Sequence, residues 1–498
     1  MISPIAIITS IAIYFCFLLL IAWYTSRNAT NESYFTGNKT SPWYAVAFGM
    51  IGDSLSGVTF ISLPGTVGTA KFSYLQLVLG YLLGYYIIAK VLLPLYYKLN
   101  LTSIYSYLQQ RFGANAQKTG SFFFLLSRII GAALRLYLAV SVIQLFVFDS
   151  WDIPFFVSVA LIIALMLIYT YKGGIKTLVW TDTFQSALLL VGVVLSIVAL
   201  VKGLNWSAKE TVVNVVNSDY SQIFFWDWKE KNFFFKQFFS GAFIAIVMTG
   251  LDQNMMQKNL SCKSLPEAQK NILSFSFVLV IVNIFFVALG ALLYLYTSSK
   301  GIEIPLNSVT GKPMTDKLFP LLALNHLGIF AAIVFILGLT AATFSSADSV
   351  LTTLTTSFAI DFLKLDTRTD YTEEKKKNIR HLIHLAFGAI LLLTIVGCSL
   401  INQTSVLDAI FTVAAYTYGP LLGLFAFGLF TTRISNDKYI PVLCFIPPLI
   451  CYVLYENSAV WFNGYKFGYE LLLLNGLLTY YGLWLNSKKA TNLVTGTT

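Results

Sequence analysis

The sequence predicts an all-α membrane protein of about thirteen transmembrane helices, and three observations carry that expectation. The first is composition: 57% of the 498 residues are hydrophobic and 11% charged, with a mean hydropathy of +0.72, where soluble domains carry about a quarter charged residues. The second is the recurrence of charge-free runs long enough to cross about 30 Å of hydrocarbon, for which roughly 20 apolar residues suffice. The third is that lysines and arginines gather in alternate connections between those runs, as they do when one side of a membrane is cytoplasmic. One membrane bundle over 1–498 therefore replaces several soluble domains, and the net charge of +10 is topological, not a nucleic-acid surface.

The first span, 5–24, holds no charge from Ile5 to Tyr24 and lacks the basic leader of a signal peptide, so a retained helix is expected. The second, 43–68, is interrupted by Gly52-Asp53-Ser54-Leu55-Ser56-Gly57, with Pro64-Gly65 following. Broken helices at membrane depth survive where the freed backbone lines a cavity or binds something. Spans at 75–97, 119–146, 153–170 and 177–201 come next, and among them Lys90, Arg128, Arg135 and Asp182 lie in apolar surroundings. The seventh, 234–255, contains Asp252; the eighth, 271–297, holds the charge-free run Ile272 to Tyr296. The ninth, 326–361, is rich in hydroxyls, and the tenth, 380–401, follows the basic run Lys375, Lys376, Lys377, Arg380. The eleventh, 406–431, carries Tyr418-Gly419-Pro420-Leu421-Leu422-Gly423, a second candidate for interruption, although glycine and proline are common in membrane helices generally. Spans at 439–455 and 467–486 close the series.

Arg27, Lys39, Lys98, Arg111, Lys118, Lys172, Lys176, Lys258, Lys263 and Lys270 fall in connections on one side, as do the basic run and Lys364, Arg368, Arg433, Lys438, Lys488 and Lys489. That side holds about twenty positive residues against about nine opposite, which makes it cytoplasmic. The amino terminus is then outside a plasma (inner) membrane and the carboxyl terminus inside.

Ionisable side chains within a span are costly and mark function, and here they are Asp53, Lys90, Arg128, Arg135, Asp182, Asp252 and Asp348. Arg128 and Arg135 are one heptad apart, roughly 10 Å along one helix face, where they can pair with buried aspartates. In the ninth span Ala342, Ser345, Ser346 and Ser349 fall at i, i+3, i+4 and i+7, hence on one face beside Asp348. Hydroxyls and unpaired carbonyls suit a hard cation; close helix packing by small residues is the other reading of the same face. If Asp182 and Asp348 meet with no cation between them, repulsion favours a proton there. Cys16, Cys262, Cys398, Cys444 and Cys451 form no disulfide or metal spacing. His326, His381 and His384 have no catalytic spacing, so no enzyme is expected; His381 and His384 are expected at a helix end near Arg380.

Several segments in order resemble the sodium:solute symporter family. They are Pro42-Trp43 leading into Leu55-Ser56-Gly57-Val58-Thr59-Phe60; Thr102-Ser103-Ile104-Tyr105-Ser106-Tyr107-Leu108 with Arg111-Phe112; and Gly173-Gly174 followed by Val179-Trp180-Thr181-Asp182 and Gln185. Asp252-Gln253 with Gln257 and Lys263-Ser264, the Ser345-Ser346 pair, and Gly419-Pro420-Leu421-Leu422-Gly423 continue the match. The resemblance implies a LeuT-type fold: an extra helix at 5–24, two inverted five-helix repeats at 43–201 and 234–431, and further helices at 439–486.

It also implies a sodium ion held by the carbonyls of Gly52, Leu55 and Ala342 and the hydroxyls of Ser345 and Ser346. A second sodium would lie among Asp182, Ser345, Asp348 and Ser349, with Asp348 standing where a hydroxyl is usual. Solute contacts would come from Ser56, Thr59, Tyr74 and Gln76. Sialic acid carriers of the family use an arginine on the third repeat helix, a position that falls between Arg128 and Arg135. The expected activity is sodium-coupled import of a small organic solute, an anion by this pattern, through alternating access. Sodium is the coupling ion and the bilayer the other partner, with no organic cofactor. A sugar or polyol symporter is the near alternative, and a sodium-responsive sensor or channel is the alternative of another class. The chain ends soon after the last span, without room for a kinase domain.

Overall fold

The computed structural model describes residues 4–27, 31–306, 311, 313–400 and 406–489. The helices that matter for the site are α1 (Pro4–Thr25), α2 (Trp43–Ser54), α3 (Gly57–Ala70), α4 (Tyr74–Ile87), α5 (Ala114–Phe146), α6 (Phe155–Leu204), α7 (Phe234–Ala245) and α8 (Gln253–Asn259). They continue as α9 (Leu265–Lys300), α10 (Gly328–Ser357), α11 (Glu373–Cys398), α12 (Val406–Thr417), α13 (Gly419–Phe430), α14 (Ile440–Trp461) and α15 (Leu471–Leu485). Among the described residues, eight helices are long and apolar enough to cross a membrane, or up to eleven when three bent pairs each count as one span. The expected spans at 153–170 and 467–486 correspond to shorter apolar helices, Phe155–Tyr171 and Leu471–Leu485. Residue 401, the end of the expected tenth span, lies outside the described residues.

The bent pairs are α2 with α3 (56°), the stretch Phe234–Gly250 with α8 (69°), and α12 with α13 (43°). The first and third fall where Gly52–Gly57 and Gly419-Pro420 interrupt the apolar pattern. Pro420 lies in the first turn of α13, where its missing N–H costs no hydrogen bond. The second break was not expected from sequence. A π turn at Ile246–Gly250 ends α7, and Asp252 then takes extended backbone and caps α8 by accepting the Met255 N–H at 3.2 Å. An aspartate N-cap inside an apolar run was the signal available for it.

The spans expected at 153–170 and 177–201 both lie within α6, which is kinked at Gly174 (φ 54, ψ −147). A Cβ there would sit 2.5 Å from the Tyr34 Cα, so the position needs glycine on both conformational and steric grounds. α10 is buried along most of its length and packs chiefly against α6, while α7 packs against α4. His381 and His384 lie within α11, not at its end: the His381 ring stacks on Tyr171 at 3.8 Å, and His384 meets the hydroxyls of Thr170 (2.8 Å) and Thr355 (3.0 Å). Neighbouring helices supply partners that hydropathy does not reveal.

Candidate ion and solute site

The break between α2 and α3 frees backbone at the centre of the bundle. Leu55 (φ −95, ψ 66) and Ser56 (φ −63, ψ 174) leave helical geometry. The ladder resumes with Phe60 N–H on the Ser56 carbonyl, and among the described residues the amides of Ser56 and Thr59 do not close onto the carbonyls of Gly52 and Leu55. Those oxygens are thus available to a ligand. Gly52 is held by its N–H on Ser186 Oγ at 2.8 Å, and a Cβ at Gly52 would lie 2.9 Å from Ser345 Oγ. α2 and α10 therefore approach each other at the Gly52 and Ser345 positions, and α3 meets α10 where Gly57 faces Thr343. Ser346 Oγ donates to the Thr343 carbonyl at 3.0 Å, which leaves its lone pairs free to accept a cation.

The residues assigned by resemblance to a second sodium are only partly gathered. Asp182 accepts from Ser345 Oγ and Ser349 Oγ, both at 3.3 Å. Asp348 instead accepts the Tyr169 hydroxyl at 2.7 Å and pairs with neither arginine. Lys258 joins the same cluster: its Nζ lies 2.5 Å from Asp53 Oδ2, 2.5 Å from Asp182 Oδ2 and 2.9 Å from Ser349 Oγ. Lys258, counted from sequence among the cytoplasmic loop cations, is a buried core residue 1% exposed. Lys90 reverses the other way: expected among the buried ionisable groups, it is exposed on the outer surface of its helix, where a lysine can extend its amine toward the interface.

Beside the break a cavity is lined by Ser56, Thr59, Tyr74, Tyr81, Arg128 and Arg135, among others. Tyr74 and Tyr81 hydroxyls lie 3.3 Å apart on its wall. Gln76 is displaced from this set, because its amide donates to the Ser73 and Asn232 carbonyls (3.3 and 2.9 Å) and accepts the Phe225 N–H (3.2 Å). It ties the connection before α7 to α4.

The two arginines share a face of α5 but not an environment. Arg128 Nε contacts Asp252 Oδ2 at 2.5 Å and its terminal nitrogen donates to the Met248 carbonyl at 3.2 Å; Tyr418 donates to the same carboxylate. Arg135 is buried, pairs with no carboxylate among the described residues, and its Nε has no hydrogen-bond partner. A buried guanidinium left so is strongly unfavourable unless an anion completes it. The cavity is therefore neutralised at Arg128 and positive at Arg135.

The chain is 26% identical over 457 residues to a sodium/sialic acid symporter of Aliivibrio fischeri, covering 90% of this chain and 86% of that protein. It is likewise 26% identical to a sodium/sialic acid symporter of Proteus mirabilis, covering 84% and 82%. In fold it is similar to a solved sodium-coupled sialic acid symporter in a substrate-bound outward-open state, at TM-score 0.81 and 23% identity over 97% of this chain and 99% of that one. A nucleobase-cation-symport-1 family transporter in a closed conformation is similar at TM-score 0.54 and 14% identity, over 92% and 94%. With the broken helix and the serine-bearing α10 in contact, and with the sodium:solute symporter family model matching residues 34–437, the chain belongs to the sodium:solute symporter family.

Proposed function

We propose that the chain is a sodium-driven symporter that carries a small carboxylate-bearing solute into the cell by alternating access. The observation that carries this reading is the unpaired guanidinium of Arg135 in a cavity walled by the same broken helix that faces Ser345. Sodium is held by the carbonyls of Gly52, Leu55 and Ala342 with the hydroxyls of Ser345 and Ser346. These oxygens come from α2 and α10, so the ion binds best when the two helices are in contact, and its gradient biases the equilibrium between outward and inward states. The solute carboxylate pairs with Arg135, while Ser56, Thr59 and Tyr74 meet its polar groups and the tyrosine faces cover its apolar ones. The sialic acid specificity of the named relatives supports an acidic solute, and the tyrosine wall fits an acidic sugar. Residues 43–201 and 234–431 act as the two inverted repeats, with the amino terminus outside and the carboxyl terminus in the cytoplasm of a plasma-membrane topology, in keeping with the charge bias of the connections.

Uptake of radiolabelled carboxylates, sugars and amino acids into proteoliposomes tests this directly. A carboxylate is expected to accumulate only with an inward sodium gradient. Arg135→Ala is expected to weaken its apparent affinity about 10- to 150-fold, the loss of a charge-assisted hydrogen bond of about 1.5–3 kcal/mol. Uptake driven by a pH step and indifferent to sodium would remove the sodium part of the reading; full carboxylate affinity in Arg135→Ala would remove the anion part.

A further inference from the structure

The cage around Ser345 accounts for a single sodium, yet the carboxylates of Asp53 and Asp182 are buried next to it. Their charge is met from within the chain. Lys258 sits on α8, the half-helix that follows the unexpected break, and its ammonium spends its three donors on Asp53, Asp182 and Ser349. Asp182 in turn receives the hydroxyls of Ser345 and Ser349. The oxygens that a second sodium would use are thus turned toward a nitrogen at hydrogen-bond distance.

We propose that Lys258 is a tethered cation occupying the place of a second sodium, so that each cycle couples a single sodium ion to a single solute; this rests on the sodium-symport reading above. An ammonium matches a sodium ion in charge, and here it is supplied at fixed stoichiometry by the protein. It cannot dissociate into the cytoplasm when the site opens, so no gradient energy from a second ion enters the cycle. Asp53 Oδ2 also accepts from Asn254 at 3.1 Å, and Asn254 in turn accepts from Thr353. The lysine therefore joins α2, α6, α8 and α10, and the contact responds to any relative movement of those helices. Asp53 Oδ1 is buried without a hydrogen-bond partner among the described residues, an oxygen still open to a metal ion once the amine is gone. For a monoanionic solute the charge consequence is definite: a single sodium makes the cycle electroneutral, whereas two would carry a net positive charge inward.

Equilibrium binding of radioactive sodium to the purified full-length chain decides the matter. Wild type is expected to bind one sodium per chain with a Hill coefficient near one, the coefficient being bounded by the number of sites. Lys258→Gln is expected to bind two, and Lys258→Gln combined with Asp182→Asn to return to one. Two ions in wild type, or one ion in a folded Lys258→Gln, overturns the tethered-cation proposal while leaving sodium symport standing. No saturable sodium binding in wild type overturns sodium symport itself and this proposal with it. Because the wild-type count alone can overturn the proposal, it stays testable even if the glutamine variant fails to fold.

Discussion

Arg128→Ala is expected to destabilise the protein by about 3–5 kcal/mol, the cost of leaving a buried carboxylate without its cation. Asp252 is the junction concerned. One of its oxygens meets Arg128 at 2.5 Å and the Tyr418 hydroxyl, and the other caps α8 through the Met255 N–H. It thereby ties α5 to two broken spans at once, the one ending in α8 and the one joining α12 to α13. Removing both charges with Arg128→Ala and Asp252→Ala together is expected to recover part of the loss, since no lone ion then remains in the core. Arg135→Ala removes a cation that has no acid partner and is expected to melt at or above the wild-type temperature. Thermal unfolding in detergent separates the cases. Arg128→Ala unfolding with wild type would sink the structural role assigned to its ion pair.

Gly57→Ala is expected to weaken sodium affinity by roughly 5- to 150-fold, the equivalent of about 1–3 kcal/mol of overpacking. A Cβ at Gly57 would overlap Thr343 Oγ1, while the Thr343 Cβ and Leu339 Cδ1 would lie at 3.3 Å. The methyl group therefore wedges α3 away from α10 three residues from the Ser346 hydroxyl. Among the described residues Thr343 Oγ1 has no hydrogen-bond partner, so Thr343→Ala alone forfeits no bond and should bind sodium as wild type does. The double variant Gly57→Ala with Thr343→Ala is expected to regain most of the affinity. Failure of that rescue, with both single variants folded, would show that the contact of α3 with α10 does not govern the ion cage.

The broken second span was legible because glycine, serine and an aspartate in an apolar run have a single economical explanation, a backbone that leaves the helix inside the membrane. The α10 face was legible for a similar reason: Ala342 and the hydroxyls of Ser345, Ser346 and Ser349 stand at i, i+3, i+4 and i+7 and share one side of the helix. The break before α8 was not legible, since Asp252 reads equally as a buried charge in a continuous span and its capping of α8 is a local hydrogen bond. The partners of Gln76 were not legible, because an amide has the same composition whether it faces a solute or braces a loop.

What the chain determined by itself is the membrane bundle, the place of two helix breaks and the hydroxyl face of α10, because these follow from spacing and from the cost of polar backbone in hydrocarbon; that the broken helix meets this face was implied by the family resemblance. Tertiary structure alone decided what each charge does. Arg128 and Arg135 are equivalent on their helix and differ only because Asp252 reaches one of them. Lys90 and Lys258 exchanged their expected surroundings, one at the surface and one sealed between Asp53 and Asp182. The physical reason is that burial of a charge depends on the partner brought to it from elsewhere in the chain, and hydropathy is summed along a single segment.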